Sequence, residues 1–304
     1  MSATTGAPPR TVTSPRTQPG LFDLAQVRPA GCGRPGCTSG PTARFLLGTH
    51  QPGWLARAGV PLFVSDRGLR VYKTLPRAIA SWAQDSGGFT ELQTYGQWTT
   101  SPREYVTRAR RHAAEIGLLD WIAPQDWMCE PIIINGGTLP NGQRFVGTHL
   151  PVAEHQRRTV LNYARLRDLD PDLPIIPVVQ GFHPSDYQRC VDLYWQLTRL
   201  DLTTMPLVGV GSVCRRQGTR DSGIILATLH RAGLHRLHGF GFKSLGLAAY
   251  GHLLASADSL AWSTDARRKP PLPGCTSHRN CANCLRYALT WRDTLSRCNE
   301  EASR

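Results

Sequence analysis

Ser81-Trp82-Ala83-Gln84-Asp85-Ser86-Gly87-Gly88-Phe89 runs from a short apolar stretch into a carboxylate and then breaks at paired glycines. That is the pattern of a half-apolar strand whose carboxyl end leads into a tight turn. Glycine lets backbone approach a flat ligand with no Cβ in the way, so an acid held over such an opening suits chemistry on a planar ring. A plain tight turn is the competing reading.

The same rhythm repeats outward from this point. Residues 44–48, 61–64, 81–85, 121–124, 175–180, 207–211, 237–242 and 259–263 read as strands. Amphipathic helical patterns separate several of them. The clearest opens at Ser101, with Pro102 at the first helical position and Glu104 closing a capping box. Val106, Ala109, Ala113 and Ile116 then share one face, and Gly117 supplies the stop. Further helices are expected from residue 184 (burying Tyr187, Cys190, Val191 and Tyr194), over 221–232 and over 245–255. Strands alternating with helices imply parallel pairing, and eight of them predict a closed α/β (β/α)8 TIM barrel, with an open doubly wound sheet as the alternative. Residues 130–150 break the rhythm and read as a long loop or small hairpin.

At 304 residues the chain holds one such barrel, which typically takes about 250, plus tails. Residues 1–40, rich in Pro, Gly, Ser, Thr and Arg, are expected to be disordered or loosely attached. The barrel should occupy 41–270, and a Cys-rich segment with a helix 271–304. The formal charge of +13, carried mostly by arginine, favours phosphate and makes nucleic acid the leading partner class. Residues 1–30 lack an apolar leader core, and no apolar run approaches the ~20 residues that span a bilayer, so the expected setting is the cytoplasm of a bacterial or phage-infected cell, with no membrane partner. Of nine cysteines, Cys129, Cys190, Cys214 and Cys298 stand singly and read as buried packing. Cys32 and Cys37 make a weak metal pair.

Functional groups in barrels gather at the carboxyl ends of strands. Those ends carry His50, Asp85, Asp126, Gln180, Gly211-Ser212 and Lys243. Each alone reads equally well as a cap or loop-fixing residue. As a set they can clamp a purine-like edge: carboxylate to ring N–H and amino groups, amide to the carbonyl, backbone N–H to the remaining acceptor. Cys275, His278, Cys281 and Cys284, each three residues from the next, have the composition of a closed structural zinc site. Leu285, Ala288, Leu289 and Trp291 begin a helix behind it. Arg215-Arg216 and Arg267-Arg268-Lys269 follow strand ends and read equally as solvated charge or as phosphate contacts. Arg108, Arg110 and Arg111 read as ordinary surface.

Asp85-Ser86-Gly87-Gly88-Phe89, Val178-Val179-Gln180-Gly181 and Val208-Gly209-Val210-Gly211-Ser212 occur in the order and spacing seen in the tRNA-guanine transglycosylases, and the Gly239-Phe240-Gly241 run resembles that family's next strand. The chain length and the Asp258-Ser259-Leu260-Ala261-Trp262-Ser263 run resemble more closely the transglycosylase-like proteins that place 7-deazaguanines in DNA, the DpdA group. The likeness covers residues 44–297. It implies that Asp85 is the acid/base, that Ser86, Gly87, Asp126, Gln180, Gly181, Gly211 and Ser212 surround the base, and that a carboxylate near the last strand is the nucleophile. Counting without gaps from Gly239 puts Asp258 there, whereas centring on the strand read over 259–263 puts Ala261 there. On that strand reading Asp258 starts the strand, at the wrong rim, which keeps Asp265 as the second candidate. The family's last zinc ligand is a downstream histidine; none follows Cys284, so His278 or Cys298 must stand in.

The implied reaction is exchange of guanine for a free 7-deazaguanine of the preQ0 kind through a covalent aspartyl–deoxyribose intermediate, with zinc as a structural cofactor. No RNA-binding module follows the cysteines, which favours DNA over tRNA. A tRNA enzyme, a non-catalytic barrel that binds nucleic acid or deazapurine, and a plain base-removing glycosylase are the alternatives. The oligomeric state is left open, with a homodimer admitted.

Overall fold

The computed structural model describes residues 43–301, with side chains through residue 295. Cys32, Cys37 and the rest of the expected N-terminal segment, and the side chain of Cys298, lie outside it.

Eight parallel strands form the central sheet: β1 (Arg44–Thr49), β2 (Leu62–Ser65), β3 (Trp82–Asp85), β4 (Leu119–Ile122), β5 (Val178–Val179), β6 (Val208–Val210), β7 (Leu237–Gly239) and β8 (Ser256–Ser259). Their order is β4-β3-β2-β1-β8-β7-β6-β5. The helices longer than five residues are α1 (Gly88–Tyr95), α2 (Pro102–Ile116), α3 (Val152–Leu169), α4 (Pro184–Thr198), α5 (Arg220–Arg231), α6 (Ser244–Tyr250), α7 (Ala261–Arg267) and α8 (Leu285–Glu301).

Side chains alternate along each strand. Leu47, Leu62, Val64, Trp82, Ile122, Val179, Leu237 and Ala257 join the main core with the helices. Leu46, Phe63, Ala83, Trp121, Ala123 and Ile176 form a second, smaller cluster on the opposite face, flanked by Leu207 and Phe240. By the same alternation Asp85 lies on the face of Ala83, and Asp258 on the face opposite Ala257.

The expected closed barrel is corrected in one respect. β4 and β5 are the sheet edges, and an isolated parallel bridge, Ile122 to Ile175, spans the gap between them. Two hydrogen bonds support it, Ile122 N to Pro174 O at 3.0 Å and Ile176 N to Ile122 O at 3.1 Å. Pro174 and Pro177 have no amide to donate, which cuts the ladder short on this side. The architecture is an eight-stranded parallel half-barrel of TIM-like form.

The last strand is also corrected. It is Ser256–Ser259, and the residues read as a strand over 259–263 instead enter α7, which buries Trp262, Ser263 and Ala266. Polar Ser256 and Asp258 on one face of the strand had hidden its apolar alternation. α3 has no apolar stripe legible in the sequence, because its buried face carries His155, Gln156 and Thr159 among Val160, Tyr163 and Leu166. The capping box of α2 forms as its spacing requires: Ser101 N donates to Glu104 Oε2 at 2.8 Å, and Glu104 N to Ser101 Oγ at 3.3 Å. The 130–150 segment contains a helical turn (Pro131–Asn135) and a small hairpin (Gly137–Thr138 with Arg144–Phe145). One of the three surface arginines has a different place. Arg108 makes a bidentate pair with the buried Asp66, at 3.0 and 2.8 Å, whereas Arg110 stays exposed at the surface, where it pairs with the buried Asp170. Among the described residues no helix is long and apolar enough to cross a membrane.

Candidate active site

Asp85 is the last residue of β3. Its carboxylate accepts hydrogen bonds from the Ser65 side chain and the Gly87 amide. Burial nevertheless pushes its pKa up to about 6, and the neighbouring Asp258 and Asp66 carboxylates add to the rise. The turn that follows does not leave the opening that the paired glycines suggested. Gly87 has φ of +77° and leads into α1. A Cβ there would lie 2.6 Å from Arg67 Cγ, and one at Gly88 would lie 2.8 Å from the Trp98 ring. The chain's own side chains fill that space. Ser86 accepts from Gly88 N at 3.4 Å, so it fixes the turn.

Across the mouth, Asp126, Gln180, Ser212 and Glu130 form one hydrogen-bonded relay. Gln180, fully buried at the end of β5, donates from Nε2 to Asp126 Oδ2, and its Oε1 accepts from Ser212 Oγ at 2.6 Å. Ser212 Oγ also accepts from Cys129 N at 2.7 Å and lies 3.0 Å from Glu130 Oε2. These contacts hold Ser212 at φ of +56°, an uncommon region for a residue with a side chain. Burial raises the Asp126 pKa to about 7 against the Gln180 hydrogen bond, with Asp85 and Glu130 adding repulsion. Burial likewise raises Glu130, while Ser212, Arg215 and Arg216 pull the other way.

Gly211 contributes space. Its amide donates to Val179 O at 3.0 Å and its carbonyl accepts from Tyr187 at 2.7 Å, so its polar groups serve the fold. A Cβ there would lie 2.2 Å from Gln180 Nε2. Gly181 is similarly tight against Asp186, at 2.6 Å.

Asp258 is the third of the four residues of β8, towards its carboxyl end, and is nearly buried. The objection that it sits at the strand's start is therefore removed. Its Oδ1 accepts from Gly241 N at 3.0 Å and lies 3.3 Å from Nε2 of the fully buried His238. Asp265 is engaged elsewhere: Tyr287 donates to it at 2.7 Å and Lys269 at 2.8 Å, which ties α7 to α8.

The remaining strand-end residues divide. His50 is largely exposed, and partial desolvation of its ring and the charge of Arg267 lower its pKa. Lys243 precedes α6 and lines a groove of about 710 Å³ beneath α8 with Arg268, Tyr287 and Trp291. Arg215 lies over Phe89 and Phe145, at 5.0 and 5.1 Å from the ring centroids, and Arg216 over Phe182 at 4.4 Å. Such guanidinium–ring stacks present flat cationic faces suited to nucleobases and phosphates. Sequence reading missed Glu130 and His238. Glu130 follows Asp126 by four residues in the same loop, and His238 alternates with Phe240 along a strand, which is the signal that was available.

The Cys275, His278, Cys281 and Cys284 ligand atoms all lie within 4.8 Å of one another. The Cys275–Cys284 sulfur separation of 3.9 Å is close to the ~3.8 Å edge of a tetrahedron with Zn–S of ~2.3 Å. Leu272 N donates to Cys281 Sγ at 3.3 Å, as a backbone amide does to a thiolate. The set could hold a metal and fits zinc, with His278 as the fourth ligand. Cys281 is fully buried, and Ser263 of α7 donates to Ala282 O at 2.9 Å, so the cluster is bound to the barrel. Cys281→Ser is expected to lose zinc by elemental analysis and to melt about 5–15 °C lower. A wild-type protein free of zinc, or an unchanged melting temperature, would count against a structural metal.

The family model of DpdA, DeoxyPurine in DNA protein A, matches residues 42–303. No curated protein matches the chain. Among solved structures it is similar to a variant of Rhizobium etli pyruvate carboxylase with the allosteric activator acetyl coenzyme-A, at 14% identity and a TM-score of 0.32, over 87% of this chain and 26% of that one. The chain thus spans about a quarter of that protein.

Proposed function

The chain belongs to the DpdA family, a family with a DNA-modification transglycosylase role, and from that premise we propose that it exchanges guanine in DNA for a 7-deazaguanine base such as preQ0. The observation that carries this reading is the meeting of four groups at one rim. The Asp258 charge reaches Asp85 and raises it, Asp85 in turn raises Asp126, and Asp126 is bonded to Gln180.

In this proposal Asp126 and Gln180 read the base. Gln180 has one N–H committed to Asp126 and its carbonyl committed to Ser212, which leaves a second N–H for a base carbonyl. The second oxygen of Asp126 is left for ring N–H or amino donors. Asp258 gives a lone pair to C1′ as the C1′–N9 bond breaks, and the departing guanine takes the proton of Asp85. The incoming base then returns its N9 proton to Asp85, bonds to C1′ and releases Asp258, so configuration is retained. A paired base is out of reach, so the substrate is an extruded or single-stranded nucleotide. Arg215, Arg216, Arg267 and Arg268 are the proposed strand contacts. Zinc, held by Cys275, His278, Cys281 and Cys284, would supply a structural cross-link and no chemistry on the substrate.

Labelled guanine or preQ0 is expected to enter single-stranded DNA and not tRNA. Incorporation into tRNA alone would overturn the substrate assignment. Abasic product without an incoming base would mark a glycosylase, and binding with no exchange a non-catalytic barrel.

A further inference from the structure

Asp258 is not the only polar side chain on its strand turned away from the helices. Ser256, two residues earlier, shares its face, and the neighbouring strand brings in His238, whose Cα partners Ser256 in the ladder. The His238 ring is fully buried; Nδ1 lies 2.9 Å from Ser256 Oγ and Nε2 lies 3.3 Å from Asp258 Oδ1. Trp121 and Phe240 pack against it with centroids at 4.5 and 4.7 Å and ring planes inclined by 62° and 76°. Those inclined neighbours fix the ring plane. A buried imidazole in an aromatic setting is costly unless its nitrogens are partnered, and here one faces the Ser256 hydroxyl and the other the Asp258 carboxylate.

We propose that His238, oriented by Ser256, is a positioning residue that pins Oδ1 of Asp258 so that Oδ2 is the oxygen that attacks C1′. This rests on the reading of Asp258 as nucleophile. A carboxylate turns easily about its last torsion, where the energy wells are broad. Gly241 N and His238 Nε2 converge on one oxygen and remove that freedom. For Nε2 to donate, the imidazole must carry a proton there: the Asp258 carboxylate can only accept, and the Ser256 hydroxyl, which can donate or accept, completes the arrangement by donating to Nδ1. When Oδ2 bonds to C1′, Oδ1 becomes the carbonyl oxygen of the acyl linkage. When the incoming base displaces the carboxylate, negative charge returns to Oδ1, where two N–H groups already point. The arrangement therefore serves both halves of the exchange and leaves base binding to Asp126 and Gln180.

The test measures guanine exchange into single-stranded DNA by the full chain and its His238→Phe, His238→Gln, Ser256→Ala and Asp258→Ala variants. His238→Phe keeps an aromatic ring but loses the donor, and its kcat is expected to fall about 10–100-fold with KM for DNA and base within about twofold. His238→Gln, which restores an N–H near the Nε2 position, is expected to recover most of that loss. Ser256→Ala keeps the imidazole but leaves Nδ1 without its partner, so the ring is held less firmly, and a several-fold fall in kcat is expected. Wild-type kcat in His238→Phe overturns the proposal. So does a Gln variant that melts like wild type yet is no better than Phe, since packing alone would then explain the loss. If His238→Phe does not fold, an unchanged kcat in Ser256→Ala overturns it instead. Exchange by Asp258→Ala would defeat the nucleophile reading itself, whereas an inactive Asp258→Ala beside a normal His238→Phe would defeat only the positioning role.

Discussion

Asp258→Ala protein is expected to exchange guanine at no more than about 10⁻⁴ of the wild-type rate, because removing a covalent nucleophile leaves only binding and charge stabilisation behind. DNA binding should survive the change. Arg215 and Arg216 stack on Phe89, Phe145 and Phe182 and not on Asp258, and Asp126 and Gln180 hold each other without help from Asp258. The loss should therefore appear in kcat. Two measurements make the point specific. In wild type, denaturing gels should show a DNA-linked protein band after guanine is depleted, and peptide mapping should place the link on the segment containing Asp258. Asp265→Ala should still exchange at a rate within several-fold of wild type, since the Asp265 carboxylate is occupied by Tyr287 and Lys269. A link mapped to Asp265, or an active Asp258→Ala, would reverse the assignment.

That choice between carboxylates shows where sequence reading reached and where it stopped. β3 with Asp85, the capped helix from Ser101 and the cysteine cluster were legible because each is a local pattern, in which neighbours in the chain meet each other in space. β8 was not. Its inward residues Ser256 and Asp258 are polar for a reason that lies on another strand, in His238 and in the amide of Gly241. Without that partner in view, Trp262 drew the strand forward to a segment that is in fact helical. Glu130 was passed over on similar grounds: its meaning depends on Ser212, which is 82 residues away in the chain. The glycines give the opposite lesson. Gly87 and Gly88 read as places where a Cβ cannot go, yet the obstructing atoms belong to Arg67 and Trp98, and Gly211, read for its backbone groups, is a glycine because Gln180 crowds it. Pattern reveals that a space is filled without revealing what fills it.

Asp85→Asn is expected to lower exchange by about 10²–10⁴-fold, the usual contribution of a positioned general acid–base, and to change the shape of its pH dependence. The group has to be protonated when guanine departs. With a pKa of about 6 it is mostly protonated at pH 5. At pH 8 about one molecule in a hundred still carries the proton. Exchange by the wild type should therefore fall roughly tenfold per pH unit on the alkaline side of its transition, and the residual activity of Asp85→Asn should lack that limb. Asp126, with a pKa of about 7 and coupled to Asp85 by charge, will move the observed midpoint, which belongs to the set of carboxylates. The same shift has a consequence for folding. A carboxyl whose pKa is raised on folding binds protons more tightly in the native state, so its ionisation opposes the fold. The penalty is absent below about pH 4, the ordinary range of an aspartate. It grows as pH rises and is complete above the folded value of about 6. Asp85→Asn removes the ionisation, so it should melt higher than wild type at pH 8, with the gap closing towards pH 4. A variant that loses activity and melts lower at pH 8 would mean that Asp85 supports the fold and that its loss is structural. A variant that melts higher while losing the alkaline limb would identify Asp85 as a group kept, at a cost to stability, for the proton it delivers.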